Sequence, residues 1–351
     1  MIVDFHSTGQ EQRTAVPKVL EKLDWMRRQG IWPNGKRYLW TDAFGVVLLV
    51  SLYHETGNSD YLDEAERVVG EVYRVLGRPR GLRIGEAADR YGQYYHYLAM
   101  WMYALAVFGE VRPQFRQLAI RLVKEIHPVF VIPGQGVIWK MQEDLRGPDP
   151  LSGWGGLDPF HGYVVYRLLD DVGLEHEIDE MHELMQLSYR DLSITQDLGL
   201  GMMLWFTHFH PTEPWARIQR QRCLENLDRL WRETPGYFAR DLRGSDSDAV
   251  FAFTNYGVAI GLRAVRCWPE RVRRVNAFFR TYRSGDHYDT DAITHVMECS
   301  ALLPGRLIRP ALWRRGRGGG PSGFRESVGL LKQEGNFDAP RTSGSQVNDL
   351  L

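Results

Sequence analysis

Six aspartates recur where a polar, aromatic-rich loop of this 351-residue chain runs into an apolar segment: Asp42, Asp89, Asp158, Asp197, Asp248 and Asp291. One carboxyl group can protonate a departing glycosidic oxygen while a second activates water or attacks from the other face, so aspartates ringing one opening form a candidate acid/base site. Aspartate is also a preferred helix N-cap, where it accepts hydrogen bonds from orphan N–H groups and does no chemistry. Asp158, which precedes Pro159, and Asp42, beside Thr41, fit capping as well as catalysis. Asp89 is less cap-like, because Gly85-Glu-Ala-Ala can open its helix ahead of it.

Histidines share these faces. His161 lies three residues after Asp158 and can orient the acid or a water. His96 follows Asp89 by two turns, deep enough to line a floor. Asp291 and His295 have i, i+4 spacing and with His287 could chelate a metal, but this is not the HExxH pattern, and neither metal nor cofactor is expected. Arg90 and Arg146 are candidate clamps for a substrate carboxylate, since a guanidinium binds it through two parallel hydrogen bonds. A helix N-terminus lowers a carboxyl pKa, so a general acid there needs an apolar wall to raise it again. Trp40, Trp154, Phe160, Tyr91 and Tyr94 can supply that wall, or simply pack the loops.

These residues need a frame that gathers them. Apolar spacing predicts twelve helices, at 13–29, 42–56, 59–76, 90–108, 112–127, 159–172, 175–190, 195–209, 214–231, 253–267, 269–282 and 288–303, with short strand-like runs only at 129–132 and 137–139. Segments such as Phe44 to Leu52 and Leu98 to Phe108 are apolar nearly all round and belong inside; Asp60 to Leu76 and Arg217 to Leu230 are two-faced and belong outside. Inner then outer repeats five times, and the last inner helix is closed by the first outer one. The expectation is an all-α, six-hairpin (α/α)6 toroid over 1–305, with the long loops 30–41, 77–89, 128–158 and 232–252 over one mouth. Residues 306–351 carry eight basic and four acidic side chains and a Gly318-Gly319-Gly320 run, and read as a flexible tail with one short helix near 323–333.

Bulk composition excludes several partners. With 43 basic and 44 acidic residues, net charge −1, no global field draws nucleic acid or an anionic membrane. Three cysteines without CxxC spacing argue against a disulfide framework, and the first residues lack a secretory pattern, so a cytoplasmic protein is expected. The sequence leaves its oligomeric state open. No Gly-rich nucleotide loop or nucleophile elbow is present, which leaves a small carbohydrate as the best substrate class.

The stretch Trp40-Thr-Asp-Ala-Phe-Gly through Tyr53, Thr56-Gly57, Tyr61-Leu62 and Ala65 resembles the first hairpin of six-hairpin glycosidases, above all the unsaturated glucuronyl and rhamnogalacturonyl hydrolases. Those enzymes hydrate a sugar double bond with an aspartate that donates and abstracts protons. The resemblance implies Asp158 as proton donor and base, Asp89 as its partner, and Trp40, Tyr94 and Trp154 as sugar platform. His161 joins the catalytic set, and Asp42, Arg90 and Asp291 the substrate-binding set. The expected activity is a glycosidase-like hydrolase acting on an oligosaccharide with an unsaturated uronic end. A sugar epimerase or isomerase using His161, His96 or His295 is the alternative, and a silent glycan- or protein-binding toroid a third.

Overall fold

The computed structural model describes residues 5–170, 172–233 and 251–308. It forms twelve α-helices among these residues: α1 Phe5–Arg28, α2 Leu39–Thr56, α3 Asp60–Leu76, α4 Tyr95–Phe108, α5 Pro113–Phe130, α6 Asp158–Leu169, α7 Glu175–Ser188, α8 Asp197–Thr207, α9 Pro214–Glu233, α10 Ala252–Ala264, α11 Pro269–Phe279 and α12 Ala292–Leu302. The even-numbered helices pack side by side in order, and α12 returns to α2, which closes the ring. Each odd-numbered helix covers its hairpin partner from outside, with α1 against α12. The chain is an (α/α)6 toroid, as its apolar patterning predicts.

The division follows from the sequence. Every residue of α4 except His96 is buried, because Tyr-His-Tyr-Leu-Ala-Met-Trp-Met has no polar face to give to water. Helix α3 buries Leu62, Ala65, Val68, Val69, Val72 and Leu76, one stripe of an otherwise charged cylinder. The turn between α2 and α3 uses Gly57 at φ 74°, whose N–H closes on the Tyr53 carbonyl. Helices α8 and α10 approach so closely that a side chain at Gly201 or Gly261 would overlap the facing backbone.

The ring is shut at its base. A 3-10 turn at Gly305–Leu307 lies across it: the Tyr103 hydroxyl donates to the Arg306 carbonyl (2.7 Å), Trp205 Nε1–H to the Leu307 carbonyl (2.8 Å), and Arg306 N–H to Ser51 Oγ (2.9 Å). The mouth is organised by four two-residue strands, β1 Gln93–Tyr94, β2 Val131–Ile132, β3 Gly136–Val137 and β4 Lys140–Met141; β1 pairs with β4 and β2 with β3, both antiparallel. The 128–158 loop is thereby stitched to the start of α4, and the Tyr95 N–H donates to the Trp139 carbonyl (3.0 Å).

Two boundaries depart from expectation by more than four residues. Helix α4 begins at Tyr95 rather than near residue 90, because Gly92 at φ 83° turns the chain and residues 93–94 pair as a strand. Asp89 therefore stands on a turn six residues ahead of the helix, 79% exposed. Helix α1 begins at Phe5, earlier than the pattern predicts. Asp248, most of the 232–252 loop and the tail beyond 308 lie outside the described residues.

Candidate active site at the toroid mouth

The first turns of α4 and α6 bring His96 and Asp158 together. His96 Nδ1 lies 3.9 Å from Asp158 Oδ1, wider than a hydrogen bond, so neither group is consumed by the other. The imidazole retains 20% exposure and stands among the rings of Trp40 (6.1 Å between centroids), Tyr94 (5.8 Å) and Tyr97 (4.8 Å). Desolvation by these walls pushes its pKa down to about 4, so it is neutral at pH 7 and free to accept a proton.

Asp158 is the opposite case. It is 3% exposed, its Oδ2 has no hydrogen-bond partner, and burial pushes its pKa up to about 8. Such a carboxyl is a neutral acid at pH 7, able to donate a proton. It is the first residue of α6, one past the Leu157 N-cap, and its Oδ2 takes no N–H from the helix start. Gly155 makes room for it: a Cβ at that position would overlap Asp158 Oδ2. His161, one turn deeper, is buried against Phe206 (4.8 Å) with Nε2 unpartnered, and burial together with the nearby His96 drives its pKa well below the ordinary value.

The other aspartates of the ring do different work. Asp42 is fully engaged: Trp32 Nε1–H donates to Oδ1 (3.0 Å), the Tyr38 N–H to Oδ2 (3.2 Å), and Arg37 Nη1 lies 3.1 Å from Oδ1. It pins the 30–38 loop to α2 rather than facing substrate, and although burial raises its pKa to about 6, Arg37 opposes that rise. Asp197 accepts from the Thr254 hydroxyl (2.8 Å) and the Leu198 N–H (2.7 Å). Asp291 occupies the N-cap position of α12, half-buried and without a side-chain cap bond. Asp89 reaches only Arg90, at 3.9 Å, and is not brought to Asp158's carboxyl. Among the described residues, the mouth thus sets one unpaired buried carboxyl beside an imidazole.

Trp40 and Tyr94 wall the imidazole, as a platform role requires; Trp154 is 57% exposed on the rim. Arg90 lies over the Tyr38 ring (4.7 Å) and donates from Nη1 to its hydroxyl (2.8 Å), which meets the Tyr97 hydroxyl. Arg146 pairs with Asp144 on the surface. His295 faces outward: its ring meets Trp25 of α1 edge-on (4.8 Å) and Nε2–H donates to the Asp289 carbonyl (3.1 Å), so it belongs to the wall. The sequence places His96 two turns past Asp89 on one helix, whereas the Gln93-Tyr-Tyr-His run passes from strand to helix and sets it in the first turn of α4, at the mouth.

The fold and this mouth define a six-hairpin toroid with an unpartnered buried carboxyl beside an imidazole at its open end. No family model matches the chain, and no curated protein matches it either. Solved structures do. Cellobiose 2-epimerase from Bacillus thermoamylovorans B4167 superposes with TM-score 0.54 at 11% identity, covering 77% of this chain and 88% of that one. Cellobiose 2-epimerase from Spirochaeta thermophila DSM 6192 gives 0.54 at 14%, covering 78% and 86%, and a D-mannose isomerase gives 0.55 at 11%, covering 78% and 88%. These likenesses concern the fold.

Proposed function

We propose that the protein is a sugar isomerase that moves a proton between adjacent carbons of an open-chain aldose, and so interconverts aldose and ketose. The observation that carries this reading is the neutral, solvent-reached His96 set 3.9 Å from the protonated Asp158. His96 takes the proton from C2 while Asp158 gives its proton to O1, which turns the C1 carbonyl and C2–H into an enediol. His96 then returns its proton to C1 as Asp158 takes the O2 proton, leaving the ketone at C2. Taken alone, an imidazole of pKa near 4 is a weak base and a carboxyl of pKa near 8 a weak acid. Their joint reaction creates an ion pair, and each new charge lies beside its opposite, which draws the two affinities toward each other.

The fold neighbours, sugar epimerases and an isomerase, support this reading over the glycoside hydrolase that the first hairpin suggests. So does the carboxyl arrangement. Hydrolysis calls for two cooperating carboxyl groups, and among the described residues Asp42 and Asp197 already have donors, Asp89 stands outside, and Asp291 stands at the start of α12, across the ring from α6. Epimerisation calls for proton transfer on both faces of C2. His96, Asp158 and His161 all come from the adjacent helices α4 and α6, neither α8 nor α10 carries a histidine, and His295 is turned away. One-sided proton transfer fits isomerisation better.

The test is incubation of aldoses, D-mannose first, with the protein in D2O, followed by NMR. Deuterium should enter C1 of the ketose, and His96→Ala and Asp158→Asn should each abolish this while the fold survives. A folded wild-type protein that exchanges no C–H proton in any aldose refutes the proposal.

A further inference from the structure

The buried or half-buried cations around the mouth are matched with buried or half-buried carboxylates, with one exception among the described residues. Arg37 faces Asp42 (3.1 Å), Lys140 faces Asp149 (3.4 Å), and Arg78 and Arg83 share Glu143 (3.0 Å each). Arg90 has only the exposed Asp89, at 3.9 Å, where water screens the attraction. Its surroundings are hydroxyls instead. Burial disfavours its charge, yet Tyr38, Tyr97, Tyr288 and Asp89 together outweigh that cost and hold the guanidinium above its ordinary range. Nη1 is committed to the Tyr38 hydroxyl, and the planar fork keeps further N–H donors.

The position is informative. Successive contacts lead from the His96 ring to Tyr97 (4.8 Å), from Tyr97 to Tyr38 (5.5 Å) and from Tyr38 to the Arg90 guanidinium (4.7 Å). The three legs cap the separation of cation and imidazole at about 15 Å, and any bend at the tyrosines brings the two nearer, toward the length of a mono- or disaccharide. A sugar whose C2 lies at His96 can therefore present its far end to Arg90.

Resting on the isomerase reading, we propose that the substrate carries an oxyanion at the end remote from C1 and C2, a carboxylate or a phosphate, and that Arg90 is the residue that selects it. The fold neighbours are named for cellobiose and mannose, which are neutral, so charge selection would set this protein apart from them. A charge-assisted hydrogen bond to a partly buried guanidinium is worth on the order of a ten- to hundred-fold in affinity.

The test is titration calorimetry of the full chain with D-mannose, D-mannuronate and D-mannose 6-phosphate, for wild type, R90Q and R90K. At least one anionic sugar should bind wild type on the order of ten- to hundred-fold more tightly than D-mannose. R90Q should erase that gap by weakening the anion alone, and R90K should restore part of it. A gap for the uronate alone assigns a carboxylate, and one for the phosphate ester alone assigns a phosphate. Equal affinity for all three sugars, or a gap that R90Q leaves intact, overturns the proposal. Should R90Q not fold, a gap indifferent both to R90K and to ionic strength overturns it equally. Absence of deuterium exchange would refute isomerisation and leave this binding gap standing, so the two failures are distinguishable.

Discussion

Asp158→Asn should make the protein more stable, and increasingly so as pH rises. In the unfolded chain the Asp158 carboxyl titrates near its ordinary value of 3.8, while in the folded protein burial raises it to about 8. Between those values the folded state binds the extra proton. The contribution of this group to stability is therefore fully kept below pH 4 and is lost as pH climbs through 8. Asparagine has nearly the same shape and never ionises, so the variant escapes the loss. Integrating the linkage, the variant gains about 0.5 kcal/mol over wild type at pH 4 and about 4 kcal/mol at pH 7, less whatever His96 recovers by taking up a proton beside the new carboxylate. Chemical denaturation of both proteins at several pH values between 4 and 8 reads this double difference. Titrations elsewhere, including those of His96 and His161, contribute to both chains and largely cancel. A gap that stays flat across the range, or closes toward pH 8, would refute the claim that Asp158 is held protonated.

Three more outcomes follow from the same geometry. Gly155→Ala forces a Cβ into Asp158 Oδ2, and should cost about 1–3 kcal/mol by overpacking and about 10²-fold in turnover by displacing the acid, measured by denaturation and by deuterium wash-in; wild-type turnover would show that the carboxyl is not held there. Asp42→Ala leaves buried Arg37 without its counter-charge and should cost about 3–5 kcal/mol of folding free energy, while the fraction that folds still turns over. The rate of isomerisation should be bell-shaped in pH, falling below about 4 as His96 becomes charged and above about 8 as Asp158 loses its proton.

The frame of this protein is written plainly in its residues, and the rotation of individual helices is not. Tyr95–Phe108 offers water no polar face and Asp60–Leu76 offers a full one, so inner and outer positions can be assigned without coordinates. Asp158, His161, Trp40 and Tyr94 stand out in the sequence because an acid, an imidazole and large rings cluster at loop-to-helix junctions. Asp89 was misplaced by a turn that depends on pairing residues 93–94 with 140–141, about 47 positions along the chain, which local periodicity cannot register. His295 shows the second limit. Its i, i+4 relation to Asp291 describes a face, but which way that face turns is decided by the packing of Trp25 from the opposite end of the sequence.

The partition of the five described ring aspartates shows how carboxyl groups at similar helix starts come to differ. Each inner helix directs its orphan N–H groups toward the same mouth, so aspartate is welcome at every start and carries no chemistry by being there. What separates Asp158 from Asp42 and Asp197 is the removal of donors. Asp42 meets a tryptophan N–H, a backbone N–H and a guanidinium; Asp197 meets a hydroxyl and a backbone N–H; Asp158 Oδ2 meets nothing. A carboxyl stripped of donors keeps its proton, and a neighbouring imidazole walled by Trp40, Tyr94 and Tyr97 gives its own up. Acid and base are thus produced by the same cause, desolvation acting on groups of opposite charge type. The base of the ring, closed by the Gly305–Leu307 turn, directs access to them toward the mouth, where the Arg90 guanidinium lies among the rim tyrosines.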